Sequence, residues 1–79
     1  MGKLKKLRES TGMSQVEFAK KAGVNIRTYQ MYEQGAKLIE NAKMETVIKI
    51  CLALSCEISD IIEDQKILSL LYKYKKEEE

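Results

Sequence analysis

Arg27, Gln30, Met31 and Gln34 stand at i, i+3, i+4 and i+7, the spacing that gathers side chains on one face of an α-helix. The set carries donors, acceptors and one adaptable apolar side chain, and none of it asks for burial. Tyr29, Tyr32 and Glu33 fall on the opposite side and suit a core. A polar face of this kind fits the edges of base pairs. The Arg27 guanidinium can donate two parallel hydrogen bonds to O6 and N7 of a guanine. Gln30 can pair with adenine or reach a phosphate, while Ile26 and Met31 can pack on thymine methyls. Phosphate contacts have their own candidates. Gln15 sits at a helix start, where free N–H groups and the helix dipole also favour an anion. Asn25 and Thr28 hold the same place on the next helix, Asn25 chiefly as a cap, and Gln34 lies at the far end of the polar face. Lys37, Asn41 and Lys43 surround the following loop and can clamp the sugar-phosphate backbone. Lys3, Lys5 and Lys6 can add to this from the N-terminus, with solvation as their default.

Two short helices must position these groups. Ser14 can cap the first, with Val16, Phe18, Ala19 and Ala22 as its apolar side. Gly23 supplies a left-handed stop, Asn25 can cap the second helix, and Gly35 closes it. Helix, Gly-containing turn, helix within some twenty residues is the helix-turn-helix signature. Its second helix commonly enters the DNA major groove.

The surrounding chain reads as all-α. A first helix spans Lys3 to Ser10, with Leu4 and Leu7 inward and Thr11-Gly12 as its stop. The central pair runs Gln15–Ala22 and Ile26–Gln34, followed by a loop over Ala36–Glu40. Asn41 is expected to cap a fourth helix ending near Leu54, with Met44, Val47, Ile48, Cys51 and Leu54 on its core face. A fifth starts near Ile58 and turns Ile58, Ile61 and Ile62 inward. No Gly or Pro separates it from Gln65-Lys66, so it can continue into the apolar segment Ile67 to Tyr74. The terminal Lys-Lys-Glu-Glu-Glu should fray, because acids at a helix C-terminus oppose the dipole. Residues 1–64 thus form one domain and 65–79 a helical tail.

Seventy-nine residues support one modest core, and the composition, with no Pro, no Trp and abundant Leu, Ile, Lys, Glu and Ala, favours helices. Charge is unevenly spread. Residues 1–43 hold nine basic against four acidic residues, a net of +5; residues 44–79 hold five against eight, a net of −3. The basic half contains the helix-turn-helix, which favours a salt-dependent attraction to phosphates. Neither a secretory signal nor a transmembrane span is expected, and the protein should be cytoplasmic. With no His and only Cys51 and Cys56, a four-ligand zinc site cannot be assembled, so no metal or cofactor is expected. The absence of a phosphate loop, a nucleophile motif and paired buried carboxylates argues against an enzyme.

The ordered set Leu4-x-x-Leu7-Arg8, Gly12-Met13-Ser14-Gln15, Phe18-Ala19, Gly23-Val24-Asn25, Thr28-Tyr29, Tyr32-Glu33-x-Gly35, Met44-Glu45-Thr46 and Ile58 to Ile62 resembles the lambda repressor/Cro type of helix-turn-helix domain, the XRE family. The resemblance implies a five-helix all-α domain binding a partly palindromic operator in double-stranded DNA as a dimer. It implies base reading by Ile26, Arg27, Gln30 and Met31, and phosphate binding by Gln15. It also implies a structural ion pair between Arg8 and Glu33. The chain departs from the family in three ways. The loop from Ala36 to Lys43 is longer than usual and lacks a Pro, Ser55 stands where Gly usually ends the fourth helix, and Glu57 replaces a Ser or Asp cap.

Leu52 and the tail residues Ile67, Leu70, Leu71 and Tyr74 suggest a second surface. The tail either covers its own core or pairs with a second copy, and the small size favours a homodimer, since one copy reads few base pairs. A repressor is the leading function. The alternative is an antitoxin-type protein that binds a partner protein and regulates its own synthesis through the same helix-turn-helix.

Overall fold

The computed structural model describes residues 2–78. It holds five α-helices: α1 (Lys3–Thr11), α2 (Gln15–Ala22), α3 (Ile26–Gln34), α4 (Met44–Leu54) and α5 (Gln65–Glu78). Single 3₁₀ turns lie at Ile39–Asn41 and Ile58–Asp60, and no strand occurs among the described residues.

Local chemistry sets the boundaries of the first half. Ser14 Oγ accepts from the Glu17 N–H at 3.1 Å, and the Glu17 carboxylate accepts from the Ser14 N–H at 2.9 Å, a reciprocal capping box on α2. Asn25 Oδ1 caps α3 by accepting from the N–H groups of Arg27 (2.9 Å) and Thr28 (3.3 Å). Gly23 and Gly35 end these helices at φ of 74° and 84°, backbone that favours glycine. Both helices have the expected bounds.

The core forms where α2 packs on α3 and α4. Tyr29, Phe18, Ile50 and Ile61 are its largest fully enclosed side chains, and the rings of Phe18 and Tyr29 lie tilted with centroids 5.2 Å apart. Val16, expected on the apolar side of α2, is exposed; Phe18, Ala19 and Ala22 fill the contact and Val16 lies round the helix from them.

The second half corrects several boundaries. Asn41 does not cap α4. The Asn41 and Ala42 N–H groups instead donate to the carbonyls of Leu38 and Ile39, closing a 3₁₀ turn that drops Ile39 into the core. Lys43 takes the cap position of α4 without a side-chain bond. On α4 the buried residues are Val47, Ile50 and Cys51, whereas Met44 and Ile48 are exposed. The apolar residues of this helix run most of the way round it, so spacing alone did not select the inward face.

The expected fifth helix is only the 3₁₀ turn Ile58–Asp60, although Ile61 and Ile62 are buried as expected. It does not run into the tail. Glu40 reaches across the long loop to accept from the N–H groups of Glu63 (2.8 Å) and Asp64 (3.0 Å). Asp64 then caps α5, its Oδ1 accepting from the N–H groups of Lys66 and Ile67. In α5, Leu68 is buried and Ile67 and Leu71 pack on the core, while Leu70, Tyr72 and Tyr74 are exposed. The helix runs to Glu78, with Lys75 paired to Glu57 at 2.8 Å; Glu79, the last of the residues expected to fray, lies outside the described residues.

Candidate nucleic-acid interface

Helix α3 is seated on a buried carboxylate. Glu33, its side chain 2% exposed, accepts from Arg8 Nε at 2.6 Å and Nη2 at 3.2 Å. It also accepts from the Tyr29 hydroxyl and from Gln15 Nε2 at 2.9 Å. Arg8 Nη1 in turn donates to the Met13 carbonyl at 2.8 Å. The expected Arg8–Glu33 pair therefore exists and ties α1 to α3. Burial works to raise the Glu33 pKa, but the bonds from Arg8, Tyr29 and Gln15 outweigh it and hold the carboxyl below its ordinary range. The same bond raises the Arg8 pKa, and burial followed by the bond to Glu33 pushes the Tyr29 phenol up strongly. No side-chain polar atom buried among the described residues is left without a partner.

One branch of this hub leads outward. Gln15, held by Glu33, uses its carbonyl oxygen to accept from Gln30 Nε2 at 3.1 Å. A buried charge in the core thus orients a side chain on the outward face of α3. Both ends of the Gln15 amide are engaged in this way. The sequence placed Gln15 on phosphate and did not pair it with Gln30; two amides fifteen residues apart gave no periodic signal.

The other face of α3 has no core duty. Arg27 and Gln34 are exposed and Met31 is 38% exposed. Ile26 is half-buried and packs partly on the core, which leaves its outer edge available. Asn25 is exposed at the N-terminus of the helix, with its Oδ1 spent on capping.

Beside α3 a shallow hollow of about 730 Å³ gathers Thr28, Lys37, Asn41 and Lys43, four of the expected phosphate contacts. Tyr32 and Thr46 line it as well. Thr46 was not among the expected contacts, because only the fold of the long loop brings it there. Cationic, amide and hydroxyl donors around one concavity suit a phosphate chain. Gln34 lines a different hollow, in company with Glu40, Glu63 and Asp64, whose negative charge disfavours phosphate there. Lys3 is also spent elsewhere: its ammonium donates to the carbonyls of Ile62 (2.7 Å) and Ser59 (3.5 Å), which pins α1 to the 3₁₀ turn.

Among the described residues there is no group of three or more His, Cys, Asp or Glu able to hold a metal ion. No helix among them is long and apolar enough to cross a membrane.

Residues 4–61 match a helix-turn-helix family, a span that runs from the second residue of α1 through α4 and both 3₁₀ turns and stops short of α5. No curated protein and no solved structure matches the chain. With that match covering most of its length, and with α2, the Gly23 turn and α3 built as described, the chain belongs to the lambda repressor/Cro (XRE) type of helix-turn-helix family, a family of DNA-binding regulators.

Proposed function

We propose that the protein is a sequence-specific repressor that lays α3 in the major groove and binds a partly palindromic operator as a homodimer. The observation that carries this reading is the division of α3. Tyr29 and Glu33 are locked into the core network, while Arg27, Gln30 and Met31 face outward beside a hollow rich in phosphate donors. Arg27 reads a guanine, Gln30 an adenine, and Met31 with the outer edge of Ile26 a thymine methyl. Thr28, Lys37, Asn41 and Lys43 hold the adjoining backbone, helped by the N-terminal N–H groups of α2 at Gln15 and of α3 at Asn25. The dimer places two copies of α3 about 34 Å apart, one turn of DNA.

Exposed Leu52, Leu70, Tyr72 and Tyr74 favour a protein contact of some kind, and so sustain the antitoxin reading as second choice. Selection of bound duplexes from a random pool, followed by salt titration, tests the first. An enriched palindrome with steep salt dependence is the expected result. Enrichment of no site, together with a small protein that co-purifies in fixed ratio, favours the second.

A further inference from the structure

Helix α4 ends in a complete Schellman motif. The Cys56 N–H donates to the Cys51 carbonyl at 3.1 Å and the Ser55 N–H to the Leu52 carbonyl at 3.2 Å. Ser55 itself is left-handed, with φ of 55°. This motif draws together the side chains of its first and sixth residues, a pair that is commonly apolar. Here both are cysteine. Neither is in a disulfide; Cys51 is buried and Cys56 half-buried, and burial, the largest cause, raises the pKa of both thiols, with each thiol also acting on the other. Both open on a shallow hollow of about 530 Å³ whose rim also carries Glu57 and Asp60.

We propose that Cys51 and Cys56 form a two-thiolate site for a soft cation with a closed d shell, of the monovalent copper type. Thiolate sulfur is the donor such ions select. An ion content with two ligands is satisfied by this pair, whereas zinc asks for four and no third ligand of that kind joins them among the described residues. Of the two carboxylates there, Glu57 is paired with Lys75, so Asp60 is the one that makes the hollow attractive to a cation. On binding, each thiol gives up its proton and each sulfur forms one bond to copper. Two protons leave and no electron is transferred. The site lies on the end of α4 and needs no DNA, so its test is independent of the repressor reading.

The experiment titrates the full chain, reduced and without oxygen, against Cu(I) held by a chromogenic chelator. The wild type is expected to withdraw one equivalent. Cys51→Ser and Cys56→Ser should each withdraw it roughly a hundredfold more weakly or worse, since a lone thiol loses the second ligand held in place beside it. Circular dichroism checks that each variant is folded, and half-buried Cys56 supplies the deciding variant if Cys51→Ser unfolds. Equal withdrawal by wild type and Cys56→Ser overturns the proposal. So does no withdrawal by the wild type.

Discussion

Arg27 and Glu33 lie six residues apart on one helix, and their removal should fail in opposite ways. Arg27 is exposed and makes no side-chain bond within the described fold, so Arg27→Ala leaves the melting temperature nearly unchanged. It should remove about 1–3 kcal/mol of discrimination at one base pair. Melting curves and competition binding on point-substituted operators check both halves. Glu33 is the reverse case. Glu33→Ala strips Arg8 and Tyr29 of their shared acceptor in the core and should cost about 3–5 kcal/mol; in whatever fraction stays folded, the preference set by Arg27 should persist, while the released Gln15 no longer holds Gln30 in place. Its ionisation gives a sharper test. The folded carboxyl titrates below its ordinary 4.5, so it contributes stability that is present above that value and is lost as pH falls through the folded one. Tyr29 and Arg8 are shifted upward, and what they contribute is present below their ordinary values and lost only in alkali. Urea midpoints should therefore be level around neutrality and decline below about pH 4.5, with a shallower acid decline in Glu33→Gln. An unchanged acid limb in that variant would place the titrating group elsewhere.

At the scale of elements, the C-terminus of α4 carries a conformational cost that one substitution can relieve. Ser55 holds φ of 55°, and every other described residue with positive φ is a glycine. Left-handed backbone is costly for a side chain with a Cβ, while glycine loses more entropy on folding, so the two terms offset in part. Ser55→Gly should stabilise by about 0.5–1 kcal/mol, read as a rise in urea midpoint at constant slope. The position shows what the sequence disclosed. A residue other than Gly at a usual glycine stop left the boundary open, yet the hydrogen bonds there are those of a glycine stop. The caps at Ser14 and Asn25, the ends at Gly23 and Gly35, and the Arg8–Glu33 pair were all legible because short-range chemistry or a family pattern specifies them. Ile39, the inward face of α4 and the end of the Ile58 turn were not. Each depends on long-range contacts: Ile39 on the cavity left between helices, α4 on which of two apolar faces meets α2, and the Ile58 turn on Glu40, which ties down the link to α5, and Asp64, which starts that helix afresh. The site divides the same way. Its outward residues followed from helical spacing, but the Gln15–Gln30 bond and the place of Thr46 needed the folded loop.

For the whole molecule, charge and apolar surface point in different directions. The excess of basic residues lies in the half that holds α3, while the acidic half supplies the exposed Leu52 of α4 and Leu70, Tyr72 and Tyr74 of α5. A dimer built through the acidic half would leave both basic halves free for one duplex, with repulsion between them relieved by phosphate. Deleting α5 would not test this cleanly, because Leu68 is buried and Ile67 and Leu71 pack on the core, so truncation weakens the fold itself. Leu52 and Leu70, at 74% and 62% exposure, separate the two effects. Leu52→Lys with Leu70→Lys should change melting of the isolated chain by no more than about 0.5 kcal/mol, as surface substitutions do. The same pair should shift sedimentation from dimer to monomer and abolish the gain of a full palindrome over one half-site. A variant that remains dimeric, with the full-site advantage intact, would move the contact away from these side chains and leave them to another protein.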